Sequence, residues 1–353
     1  MLGFLRRNLH KTSRETKTQA YISLIRSTLE YCSTAWNPHQ KFLTRKKEMV
    51  QRRARFATNQ YHNTSSIEEL NRSHVHIRDR DYVMNKLMKM ISDGPNKLQV
   101  VADFDRTLSK NTHHGNVCAT CHNIIEEGGL PEDYKLKAYK IRDEYFPIET
   151  DPNMTIEDKI PYMIEWTTQA HNLLLKYPLS KEMLHNMVAT STAKLRDGCT
   201  DFFDKLHKCD VPLLIFSAGV GDIIRELISQ HSTFYNNMHV VSNDLDFDEK
   251  GKVIGFKGEM IHVFNKNENA VHDSDYFSNL SHCTNVLLMG DSLGDLEMAN
   301  GAENVEAKLT IGFLNIRVAD SLELYKSKYD IVICEDESLD VVNAIVNKII
   351  AAG

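Results

Sequence analysis

From about Ser73 onward, short runs of branched and aliphatic residues alternate with stretches of helical period. Leu98–Phe104, Val211–Phe216, His239–Ser242, Asn285–Gly290 and Asp330–Cys334 are apolar at most positions rather than at every second one, which predicts strands buried on both sheet faces. Between them, Tyr82–Ser92, Cys199–Lys208, Asp222–His231, Leu293–Asn300, Ala319–Lys326 and Leu339–Ile350 space their apolar residues three and four apart, the period of a helix with one buried face. Strand and helix in alternation predict an α/β fold, a doubly wound parallel sheet.

A strand–helix–strand unit needs only about 30 residues, yet 112 positions separate Asp105 from Ser217, which close successive predicted strands. The intervening segment has helical periods at Tyr134–Tyr145, Thr155–Leu175 and Ser180–Ala193 and no strong buried strand. It predicts an inserted, mainly helical cap over the strand ends. The expected organisation is therefore an extension over residues 1–70, a core built from 71–110 and 193–353, and a cap over 111–192.

Charge separates the extension from the rest. Residues 1–70 hold 13 Lys and Arg against 5 Glu and no Asp, so a head of +8 precedes a body of −14 within a chain of net charge −6. Met1–Arg7, Thr18–Glu30 and Lys46–Asn59 have helical spacing, the last strongly basic, which fits either a nucleic-acid-facing helix or a solvated charged face. An acidic body cannot hold an anionic substrate by its general field, so a phosphate site there needs locally placed donors. The seven cysteines form no framework pattern and predict reduced thiols, and no apolar run reaches the length of a membrane span. A cytoplasmic protein with no membrane partner is expected.

Reactive groups in open α/β sheets sit beyond the carboxyl ends of strands, and this chain carries polar groups of complementary kinds there. Asp103-Phe104-Asp105-Arg106-Thr107 presents acids at i and i+2, one suited to attack and the other to proton transfer. Ser217-Ala218-Gly219 offers a hydroxyl and backbone N–H groups, of Ala218 or Gly219, to an anion. Lys266 follows Phe256–Phe264, expected to form short strands. Gly290-Asp291-Ser292-Leu293-Gly294-Asp295 places two further acids at another strand end. Carboxylates gathered in this way repel unless a cation lies among them, and hard oxygen donors with open positions suit Mg²⁺. Cys118-x-x-Cys121-His122 has the spacing of half a zinc site or a redox pair, but no second pair follows at zinc spacing.

In this order the four motifs resemble those of the haloacid dehalogenase superfamily, and the acid at Asp105 fits its phosphatase branch. The resemblance implies a Rossmann-like core in which Asp103 is the nucleophile and Asp105 the general acid and base. It further implies Mg²⁺ held by Asp103, the Asp105 carbonyl and Asp291, with Asp295 in support, and charge taken up by Ser217, Ala218 and Lys266. Across about residues 73–352 the chain is more narrowly similar to cytosolic 5′-nucleotidase III, the pyrimidine 5′-nucleotidase family, through Cys118–Ile125, Ile148–Pro152, Pro161–Trp166, Phe216–Asp222, Val240–Asn243 and Gly255–Lys266. That likeness implies hydrolysis of a nucleoside 5′-monophosphate, CMP, UMP or 7-methyl-GMP, by a monomer. Glu149 would read the base, His122 and Trp166 would wall it, and Ala170 stands where relatives tend to carry a contacting Ser. Arg106 also departs from the family, which usually has Met there.

Alternatives within the superfamily are another phosphatase or a nucleoside phosphotransferase. The head invites a different alternative. Leu2–Leu9, Ile25–Cys32, Trp36-Asn37-Pro38 and Glu48–Phe56 resemble the tail of a non-LTR retrotransposon reverse transcriptase over about residues 2–66. That stretch carries none of the polymerase's catalytic aspartates, so it implies a fused remnant. A nucleic-acid-binding role is the lesser expectation.

Overall fold

The computed structural model describes residues 67–151, 153–266, 276–302 and 304–351. The expectations for the basic head lie outside the described residues. The elements below belong to one unit, Glu69–Gly353.

Eight strands form one sheet, in the order β1 (Val75–Ile77), β10 (Ile331–Cys334), β9 (Ala307–Leu314), β8 (Asn285–Gly290), β2 (Leu98–Ala102), β5 (Leu213–Val220), β6 (Met238–Phe247), β7 (Val253–Lys257). The six central strands pair in parallel, and β1 and β7 close the two edges antiparallel. The centre is the most apolar part. Every residue of β2 and β8 is buried, and each fully covered Val or Leu contributes about 1.5–3 kcal/mol relative to exposure. From β2 the chain builds outward through β5 and β6, then returns to add β8, β9 and β10 on the other side. The strand order thus reverses around β2, where open α/β sheets leave a crevice at their carboxyl ends.

Helix α1 (Arg80–Asp93) begins with Asp79, whose carboxylate accepts from the Tyr82 N–H. Between β2 and the helix that leads into β5 lie a small hairpin, β3 (Thr112–His113) with β4 (Asn116–Val117), and four helices: α2 (Cys121–Glu127), α3 (Glu132–Glu149), α4 (Ile156–Leu174) and α5 (Lys181–Thr190). Thr120 caps α2 in a reciprocal box with Asn123, and Thr155 and Ser180 cap α4 and α5 by accepting from Asp158 and Met183 N–H groups. After them come α6 (Cys199–Lys208), α7 (Gly221–His231), α8 (Val318–Lys328) and α9 (Asp340–Ile350). Helices α3 and α4 pack on each other, whereas α5 packs on the core helix α7.

Several sequence expectations need correction. Strands β1 and β9 were not among those predicted. The sheet is not wholly parallel, because the chain doubles back through Lys250-Gly251 and pairs β7 against the far half of β6. Leu293–Glu297 is a short 3₁₀ turn instead of a full helix. Only Val253–Lys257 is strand in the region before Lys266, and 258–264 is irregular. Among the described residues no helix is long and apolar enough to cross a membrane, and six cysteines are free thiols.

Candidate active site

The parallel register of β2 with β8 continues one residue past β2, where the Asp103 N–H donates to the Met289 carbonyl at 3.0 Å. This fixes the Asp103 backbone at the floor of the crevice. Its side chain is buried; Oδ1 accepts from Lys266 Nζ at 2.5 Å, and Oδ2 has no hydrogen-bond partner. Burial pushes the Asp103 carboxyl up to about 7, against the pull of Lys266 and with added repulsion from Asp295 and Asp105.

Lys266 is no solvated surface charge. Its ammonium lies between Asp103 and Asp295, donating to Asp295 Oδ1 at 2.8 Å. Burial works against its charge, but the two carboxylates outweigh burial and hold it protonated. Asp295 is fully buried, and its other oxygen accepts from the N–H groups of Asp291 and Ser292 at 3.1 and 2.8 Å. This carboxylate therefore shapes the turn after β8 and aims Lys266. Gly290 is required at that turn, because a Cβ there would lie 2.4 Å from Asp295 Cβ. Asp291 follows it, and burial with the nearby Asp103 and Asp295 charges raises its carboxyl well above the ordinary range.

The Asp105 carboxylate is gripped from the start of α2. The backbone N–H of Cys121, the first residue of α2, donates to both its oxygens at 3.0 and 3.2 Å. Burial raises the Asp105 carboxyl, and this contact opposes the shift. Cys121 thus serves through its main chain. Ser217 lies inside β5, which runs on to Val220 past a register shift, and its Oγ accepts from the Gly219 N–H at 3.0 Å. Of the two N–H groups expected to face an anion, that of Gly219 is already engaged.

A cavity of about 320 Å³ lies over these strand ends. Asp103, Asp105, Ser217, Ala218, Lys266 and Asp291 line it, together with His122, Glu149, Trp166 and Ala170 from α2, α3 and α4. Asp295 is not in the wall, standing behind Lys266. Trp166 is backed by Tyr145, the rings nearly parallel (13°) with centroids 6.2 Å apart. Glu149 ends α3, and burial raises its carboxyl against the charges of Arg106 and Lys159.

Carboxylate oxygens of Asp103, Asp291 and Asp295 come within 4.8 Å of one another. Three acids so close, one with an orphaned buried oxygen and another pushed strongly toward protonation, form a hard-oxygen set that fits a small divalent cation.

Three contributors escaped the sequence reading, and Arg106, already noted as a departure from the family, lines the cavity. Buried Asn243 donates to the carbonyls of Ala218 and Ile261 and accepts from the Ile261 N–H, joining the β5 end to the segment that carries Lys266. Fully buried Arg196 donates to the carbonyls of Thr107 and Arg106 at 2.7 and 2.6 Å and stacks over Phe313. His171 of α4 stacks on Phe256 of β7, with centroids 3.6 Å apart at 10°. Arg196, between Leu195 and Asp197, and Asn243, between Ser242 and Asp244, stand among other polar residues, so local sequence does not single them out.

Comparison with known proteins follows this geometry. The family profile of Pyrimidine 5′-nucleotidase (UMPH-1) matches residues 106–350. A relative from Xenopus laevis, "7-methylguanosine phosphate-specific 5′-nucleotidase A", is 44% identical over 283 residues, covering 80% of this chain and 98% of its own length. The Homo sapiens protein "7-methylguanosine phosphate-specific 5′-nucleotidase" is 44% identical over 261 residues, covering 74% and 87%. The crystal structure of cytosolic 5′-nucleotidase IIIB bound to cytidine superposes with a TM-score of 0.74 at 31% identity, covering 82% of this chain and 97% of that one. The chain therefore belongs to the pyrimidine 5′-nucleotidase (UMPH-1) family, which makes it a 5′-nucleotidase, a phosphoric monoester hydrolase of haloacid dehalogenase fold.

Proposed function

We propose that this protein is a Mg²⁺-dependent cytoplasmic 5′-nucleotidase that converts nucleoside 5′-monophosphates, among them CMP, UMP and 7-methyl-GMP, to nucleoside and phosphate through an aspartyl-phosphate. The observation that carries this reading is the shared cavity, lined by paired acids and a buried ammonium and also by a further carboxylate and an indole. The names of the relatives support the substrate class.

In the first half-reaction the Asp103 carboxylate attacks phosphorus while the bond from phosphorus to the ribose 5′ oxygen breaks, and Asp105 gives its proton to that oxygen. In the second, Asp105 takes a proton from the water that attacks phosphorus, and the bond to Asp103 breaks to release phosphate. Lys266, the Ser217 hydroxyl and the Ala218 N–H take up charge on the phosphoryl oxygens. Asp103, Asp291 and the Asp105 carbonyl would hold Mg²⁺, with Asp295 in support; bound there it offsets repulsion between the acids and the phosphate dianion. A Glu149 carboxylate accepts from base N–H groups while Trp166 and His122 offer flat faces, best suited to a cationic base. The nucleotide is the expected partner, taken up by a monomer.

A panel of nucleoside monophosphates assayed for phosphate release with and without Mg²⁺ tests this, with Asp103→Asn as the control. Release is expected with Mg²⁺ only and is expected to vanish in the variant. Full activity of Asp103→Asn would remove the nucleophile and the mechanism with it.

A further inference from the structure

Arg106 has φ +62°, in the left-handed region that strains a non-glycine residue. Three hydrogen bonds hold it there. Its N–H donates to Ser109 Oγ at 2.9 Å, and its carbonyl accepts from Arg196 Nη2 at 2.6 Å and Asn315 Nδ2 at 3.0 Å. The backbone is over-determined, which fixes the direction in which the side chain leaves, and that side chain lines the cavity.

Three cationic side chains line the cavity among the described residues: Lys266, Arg142 and Arg106. Lys266 is committed to Asp103 and Asp295. Arg142 donates to Asp143 and lies over the Tyr139 ring. Among the described residues no hydrogen bond or ion pair engages the Arg106 guanidinium. Its charge is nonetheless felt at Asp105, Asp291 and Glu149, opposing the upward push that burial gives each. The guanidinium therefore serves the stretch between the acids and the base-facing carboxylate.

Charge balance gives that position a purpose. The catalytic set gathers Asp103, Asp105, Asp291 and Asp295 around one ammonium already shared by two of them. With Asp105 carrying the proton it donates, the other three carboxylates are only balanced by that ammonium and a divalent cation, which leaves no net positive charge for an entering phosphate dianion. A planar guanidinium with free donors is the group best shaped to receive it.

We propose that Arg106 is a substrate-binding residue that engages the phosphate dianion of the nucleotide, supplementing Lys266. The inference rests on the 5′-nucleotidase reading of the cavity, and it concerns a position where the chain departs from the pattern of the family it resembles.

The test uses the full chain as wild type, Arg106→Gly, which accepts the left-handed backbone without strain, and Arg106→Lys, which keeps a point charge. The readouts are KM and kcat for CMP and for an aryl phosphate, and thermal stabilisation by inorganic phosphate and, separately, by cytidine. Arg106→Gly is expected to weaken phosphate binding and raise KM for both substrates by about tenfold, with kcat changed far less. Arg106→Lys is expected to recover part of the loss, and cytidine binding to stay as in wild type. Unchanged phosphate binding in Arg106→Gly overturns the proposal. So does a loss confined to CMP and cytidine, which would assign Arg106 to the base-facing set. Phosphate binding requires no turnover, so a wild type that hydrolyses no nucleotide would defeat the functional reading while Arg106 is still scored.

Discussion

Two sets of residues lining the cavity are built differently. In the set proposed to meet the phosphate, Asp103, Ser217 and Lys266 are almost wholly buried and come from strand ends or the segment tied to them by Asn243, and Lys266 donates a short hydrogen bond to Asp103. In the set proposed to meet the base, His122, Glu149, Trp166 and Ala170 stand on three helices, α2, α3 and α4, and are only half-buried. Sheet register fixes the first set, while the second depends on how helices pack. Reaction type should therefore resist surface variation, and base preference should change with single substitutions in the cap.

The largest effect that would break this contrast is at Lys266. Lys266→Met leaves Asp103 and Asp295 buried side by side without their shared counter-charge. Removing one partner of such a cluster costs about 3–5 kcal/mol, and the lost charge stabilisation lowers kcat about 100-fold or more. Urea titration and turnover measure the two parts. Both CMP and an aryl phosphate are expected to lose equally; a loss restricted to nucleotides would place Lys266 outside the phosphate set.

The opposite signature is expected at Glu149. Glu149→Ala should change the ratio of kcat/KM between CMP and UMP or 7-methyl-GMP by about tenfold to 100-fold, the span of discrimination by one buried polar contact, while an aryl phosphate is turned over nearly as before. Equal losses on both substrates would merge the two sets into one.

The same contrast sets what the sequence discloses. The phosphate set is legible because its groups leave buried strands in short motifs, where residue type and position identify them together: Asp103 and Asp105 after β2, Asp291 and Asp295 after β8. The base set was legible only through family likeness, since Glu149 and Trp166 sit on different helices, α3 and α4, and nothing in their local spacing joins them. Strand β9 was missed although Leu309–Leu314 is apolar apart from Thr310 and Gly312. Its Gly312 breaks the branched pattern, and the reason for glycine is a partner in space: a Cβ there would lie 2.7 Å from the Tyr329 ring. The direction of Arg106 was likewise hidden, because it follows from a left-handed backbone clamped by Arg196 and Asn315, far away in sequence.

The smallest effect concerns the joint between the two regions, where His171 of cap helix α4 stacks on Phe256 of strand β7. Burial, with the nearby His122, lowers the His171 imidazole from 6.5 to about 4, and its Nε2 is enclosed without a partner. The neutral ring is the form that packs. Between those values the unfolded chain binds a proton at this site and the folded chain does not, so the stability it contributes is complete above pH 6.5 and drains away as pH falls toward 4. Allowing for its partial exposure, the loss is about 1–2 kcal/mol. His171→Phe keeps a flat ring against Phe256 and cannot titrate, so its melting temperature should gain on wild type as pH drops from 7 to 4.5, by a few degrees. A gap that stays constant over that range would mean that this stacked pair does not carry the acid sensitivity of the cap joint, and that the cap is held by its helix packing alone.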